Sequence, residues 1–69
     1  MSDNIYKILE LVGSSPDGTD AAIRNAITRA SLTIKNLDWF EVIETRGHIA
    51  NGKIAHFQVT LKAGFRLEG

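Results

Sequence analysis

Asn51-Gly52-Lys53-Ile54-Ala55-His56-Phe57-Gln58-Val59-Thr60-Leu61-Lys62-Ala63-Gly64-Phe65-Arg66 is the stretch that decides the fold. Asn-Gly is the strongest two-residue signal for a type I′ hairpin turn, because both residues tolerate positive φ. Beyond it, Ala55, Phe57, Val59, Leu61, Ala63 and Phe65 alternate with Ile54, His56, Gln58, Thr60 and Lys62. Strand side chains point to opposite faces in turn, so this strand has one apolar face and one mostly polar face. Counting back across the turn pairs it with Asp38-Trp39-Phe40-Glu41-Val42-Ile43-Glu44-Thr45-Arg46. Leu61 then faces Val42 and Ala63 faces Phe40 on the apolar side. On the other side Lys62 faces Glu41, Thr60 faces Ile43 and Gln58 faces Thr45. The opposite charges of Lys62 and Glu41 support this register, and Gly47 is where a bulge would shift it.

Upstream of the hairpin, Ala22, Ile23, Ala26, Ile27, Ala30 and Ile34 recur at spacings of three and four, which predicts an amphipathic helix from Thr19 to about Lys35. Asp17 is the expected N-cap, with Asp20 favourably placed in the first turn and Arg29 and Lys35 near the negative end of the helix dipole. Before the helix, Ile5 to Val12 is rich in strand formers and stops at the turn cluster Gly13-Ser14-Ser15-Pro16-Asp17-Gly18. That cluster lacks the ending of a phosphate-binding loop and the spacing of a dinucleotide fingerprint, so it reads as a connector. The expected fold class is α+β, with order β-α-β-β and the last strand in the middle of a three-stranded antiparallel sheet partly wrapping one helix.

Size then constrains assembly. A chain of 69 residues is one small domain that buries only ~60% of its unfolded surface. It has no Cys, and His48 and His56 have no companion ligand pattern, so neither disulfides nor a structural metal is expected to reinforce it. Oligomerisation remains. A hairpin of about thirteen residues per strand runs roughly 40 Å, whereas a helix of about seventeen residues covers about 26 Å. The hairpin outruns its helix and leaves a second face bare. If the helix covers the face of Phe40 and Val42, then Trp39, Glu41 and Thr45 share the bare one. The single Trp of the chain therefore marks a ligand platform, a subunit interface, or both.

Eight basic residues balance eight acidic ones, which argues against a nucleic-acid binder with its one-sided basic footprint. No apolar run approaches a membrane span and no leader pattern is present, so a cytoplasmic location is expected. No Cys nucleophile, Ser–His arrangement or buried carboxylate pair suggests an enzyme. Trp39 and Gln58 share the open face but lie about six residues, roughly 20 Å, apart along the hairpin. One ligand could touch both only if they come from different subunits or a bulge draws them together.

The chain resembles the bacterial dodecins over nearly its whole length. The resemblance rests on Leu37-Asp38-Trp39-Phe40-Glu41-Val42, Arg46-Gly47, His56-Phe57-Gln58-Val59 and Gly64-Phe65-Arg66-Leu67, with Trp39 and Gln58 at a separation of nineteen residues. It implies a hollow homododecamer of cubic 23 symmetry holding stacked pairs of flavins at subunit interfaces, a store rather than a catalyst. Flavin mononucleotide (FMN) is the implied cofactor, with riboflavin or FAD as alternatives and coenzyme A as a further ligand of some members. By the same resemblance Trp39 stacks on the isoalloxazine, Gln58 bonds its pyrimidine edge, and Arg46 and Arg66 lie near the phosphate or ribityl chain. Tyr6, Lys7 and Arg29 are the candidates for coenzyme A. The rival readings are a flavin-dependent oxidoreductase and a non-catalytic protein-interaction module.

Overall fold

The computed structural model describes residues 3–68. The order is β1 (Tyr6–Ser15), α1 (Thr19–Ser31), β2 (Leu37–Ala50) and β3 (Lys53–Arg66). The three strands form one sheet in the order β1-β3-β2, antiparallel throughout, with the most regularly patterned strand at its centre. Asn51 and Gly52 both take positive φ, 54° and 74°, as the hairpin turn requires.

α1 packs on β1 and β3. Ala22, Val59 and Leu61 are fully buried between them, with Leu11, Ile23, Ala26 and Ile27 around their rim. Each buried Val or Leu contributes roughly 1.5–3 kcal/mol, so this small centre offers little reserve. Small residues on the helix bring it close to the sheet. A Cβ on Gly13 would stand 2.8 Å from the Ala22 carbonyl carbon, so only glycine fits at the tightest crossing.

Several boundaries differ from expectation. β1 continues through Gly13-Ser14-Ser15, paired to Val59, Gln58 and Phe57; the cluster that reads as a turn is strand for half its length. Its alternation puts Leu9, Leu11 and Gly13 toward the helix and Tyr6, Ile8, Glu10, Val12 and Ser14 on the open face. The N-cap of α1 is Gly18, at φ 144°, with no side-chain cap. Asp17 instead donates its backbone N–H to the Oγ of buried Ser15 at 3.0 Å. The helix ends at Ser31, not near Lys35. Thr33 and Ile34 both donate to the Ala30 carbonyl, and Asn36 at φ 66° turns the chain into β2.

The helix also fails to cover β2. Phe40 and Val42 lie on the helix side of the sheet, yet they are 50% and 42% exposed. A 13-residue helix facing 14-residue strands leaves the hairpin tip bare as well, where Ile49 and Ile54 are exposed.

Register carries the largest correction. Val42–Leu61, Glu41–Lys62 and Phe40–Ala63 pair as counted from the turn. Between them and the turn, however, an extra residue sits in β2 at Ile43 and a compensating one in β3 at Ala55. Across that segment Thr60 pairs with Glu44, Val59 with Thr45 and Gln58 with Arg46. A shift of one residue exchanges faces. Thr45 therefore turns to the helix side, Glu44, Arg46 and His48 turn to the open side, and Ile54 joins Phe57 on the helix side. Gly47 hosts no bulge.

Candidate functional site

The open face has two distinct ends. At one, Trp39 is the β2 partner of Gly64 in β3. Its indole lies over that glycine, so close that an added Cβ would meet three of its ring carbons. Tyr6 of β1 reaches the same place from the other edge of the sheet and meets the indole edge-on, with ring centroids 6.1 Å apart and planes at 60°. Trp39 remains 39% exposed. Arg66 flanks this end, with Nη1 donating to Asp38 Oδ2 and Nη2 to Asn36 Oδ1, each at 3.4 Å. Asn36 is held in turn: its Nδ2 donates to the Arg66 carbonyl at 3.3 Å and its own carbonyl accepts the Arg66 N–H at 3.0 Å.

At the other end Arg46 sits opposite Gln58. Its Nη1 donates to Gln58 Oε1 at 3.4 Å, and its Nη2 to Glu44 Oε1 at 2.9 Å and Thr60 Oγ1 at 2.6 Å. Gln58 thus accepts from a cation through its oxygen, and its amide N–H groups are donors on the other side of the head group. His48 and His56, neighbours across the strands, stack their rings 5.3 Å apart next to this row. Eight residues of sequence conceal that adjacency.

Between the ends run Glu10, Lys62 and Glu41, one from each strand. Six residues of β3 separate Gly64 from Gln58, about 20 Å at the rise of a strand. The structure therefore brings Arg46 to Gln58, and Arg66 to the neighbourhood of Trp39, but keeps Trp39 and Gln58 apart within one chain. The coenzyme A candidates also separate: Tyr6 is on the open face, Lys7 pairs with Phe65 on the other, and Arg29 lines a groove between the end of α1 and the edge of β1.

Sequence reading missed Tyr6 as the indole's neighbour, Gly64 as its floor, and Glu44 and Thr60 as partners of Arg46. One signal was available: Val42-Ile43 places two apolar residues in succession and interrupts the alternation where the bulge occurs. Among the described residues, no three His, Asp or Glu side chains converge to hold a metal, and no helix is long and apolar enough to cross a membrane.

Comparison with known proteins agrees with this architecture. The family profile described as dodecin matches residues 5–68. The dodecin of Thermus thermophilus is 52% identical over 64 residues, covering 93% of each chain. The solved dodecin from Streptomyces davaonensis is 57% identical with a TM-score of 0.95, covering 99% of this chain and 100% of that one. A calcium-chelating dodecin antigen of Mycobacterium tuberculosis is more distant, at 26% identity and a TM-score of 0.81, covering 93% of this chain and 91% of that one. Three solved variants of the Thermus thermophilus dodecin replace a tryptophan and two arginines. The intervals between those positions equal those between Trp39, Arg46 and Arg66 here.

Proposed function

The chain belongs to the dodecin family, and on that premise we propose that it is a non-catalytic flavin-binding and storage protein, a homododecamer that holds flavins between subunits. The observation that carries this reading is the indole of Trp39, seated over Gly64 on a sheet face that no helix covers, about 20 Å from Gln58 of the same chain. A platform for the ring and a group for its edge exist in every chain, but too far apart to serve one ligand. Two copies supply both.

Each end suits one part of a flavin. An indole stacks on isoalloxazine with about 0.5–1.5 kcal/mol beyond burial. The N–H groups of Gln58 match the carbonyl oxygens of the pyrimidine edge. Arg66, held among the described residues by two 3.4 Å side-chain contacts, is freer than Arg46 to meet the phosphate of FMN. Arg46, tied to Glu44, Thr60 and Gln58, serves first to orient Gln58. The apolar side chains left in water on both faces, among them Ile8, Val12, Phe40, Val42 and Ile49, supply the surface that assembly would bury. A calcium-binding reading lacks such support, since the described residues gather no cluster of acidic ligands.

Purification without added ligand, followed by denaturation, tests the reading. Released material with flavin absorption, from a particle of twelve chains by native mass spectrometry, is the expected result. A colourless monomer that binds no FMN on titration would refute it.

A further inference from the structure

Gly64 is the one interior strand position where a side chain is excluded by the platform itself. We propose that Gly64 is the positioning residue of the ligand site: its missing side chain lets the Trp39 indole lie against the backbone of β3, and so sets the depth of the slot that a planar ring enters. This rests on the flavin reading above and adds to it a specificity-determining residue.

The backbone does not require glycine here. Positive φ among the described glycines occurs at Gly18 and Gly52 only, and Gly64 pairs with Ile8 on one side and, next to a register shift at Asp38, with Trp39 on the other. Glycine inside a strand is unfavourable, so a cost is carried at this position for some other reason. That reason lies directly above it. A Cβ at position 64 would stand 2.8 Å from Trp39 Cδ2 and closer still to Cε2 and Cζ2, well inside the ~3.5–4.0 Å of a carbon contact.

Tyr6 fixes the indole from the side, edge-on at 6.1 Å. With the β3 backbone below and Tyr6 alongside in a T-shaped contact, Trp39 stays 39% exposed, which leaves indole surface for stacking. A methyl group at position 64 must lift or swing the indole by on the order of 1 Å to restore normal contact. In a slot closed from above by a second copy, the same distance is taken from the space for the ligand ring.

The experiment compares Gly64→Ala, Trp39→Ala and the double variant with the wild type. Without ligand, Gly64→Ala should alter the near-ultraviolet circular dichroism of the indole and increase its quenching by acrylamide, with the assembly mass unchanged. With FMN as the probe, its affinity should fall about tenfold, and the flavin still bound should regain emission. In the Trp39→Ala background, Gly64→Ala should change the affinity by less than about twofold, because its effect passes through the indole. An unaltered indole signal, or an equal loss in both backgrounds, would overturn the proposal. If Gly64→Ala fails to assemble, the double variant decides: assembly restored there places the clash at the indole, and assembly absent in both contradicts it. Should the wild type bind no FMN, the flavin reading falls, and the ligand-free indole signals still decide whether Gly64 seats the ring.

Discussion

The two ends of the open face are built by different physics. The Trp39 end is an apolar ledge: an indole on a glycine floor with Tyr6 beside it, formed by close packing. The Gln58 end is a charged hydrogen-bonded row, in which Arg46 ties Gln58, Glu44 and Thr60 together. The ledge can hold a ring but has little to distinguish one ring from another. The row can read a polar edge but has no surface to hold it. Under the proposed function, their separation along one sheet means that neither half is a site until another copy brings its opposite end.

Interface disruption should have the largest effect. Phe40 is half exposed beside Ile23 and Ile27 of α1, on the side of β2 that the helix leaves bare. Phe40→Asp should place a charge in a contact that the proposed assembly would bury, reducing the particle to small species and abolishing FMN binding while both ends remain folded. A monomeric variant that still binds FMN tightly would erase the distinction between half-sites and site.

Substitution at each end should then give different signatures. Trp39→Ala should weaken FMN binding by at least ~1 kcal/mol through lost stacking and burial. A stacked indole can donate an electron to the excited ring, so flavin remaining on this variant should recover emission. Gln58→Ala should weaken binding too, yet leave the bound flavin dark, since it touches the edge and not the face. Fluorescence titration reads both quantities together. Equal recovery of emission in the two variants would show that the ends are not separate in role.

The smallest effect concerns the phosphate. If Arg66 or Arg46 meets it, FMN should bind more tightly than riboflavin at low salt, and the difference should shrink as ions screen the pair. Because Arg46 is occupied within its own row, Arg66→Ala should remove more of that difference than a loss of Arg46. Equal affinities at every salt concentration would take both arginines out of phosphate binding.

Much of this fold is legible in the sequence because its signals are periodic and local. Asn51-Gly52, the alternation of β3 and the threefold and fourfold spacing of Ala22 to Ala30 fix the elements and their order without any long-range information. The elements' ends are less legible. Ile34 continues the helical spacing, but the helix ends at Ser31, where Leu32 and Thr33 bond three residues back. The half-sites are hidden by a subtler cause: one inserted residue at Ile43 moves Arg46 across the sheet to Gln58 and sends Thr45 away from it. Count-from-the-turn register still succeeds at Phe40 and Val42 because the second insertion, at Ala55, cancels the first. Gly64 is invisible for a different reason, since its role lies in what sits above it in space.

The claim that each flavin is held by Trp39 of one chain and Gln58 of another is open to direct complementation. Trp39→Ala and Gln58→Ala chains, produced together so that they assemble into mixed particles, are titrated with FMN. Sites joining the intact Trp39 of one variant to the intact Gln58 of the other should appear as a class with wild-type affinity and quenched emission, absent from either variant alone. Mixed particles that bind no better than the two separate variants would contradict the account.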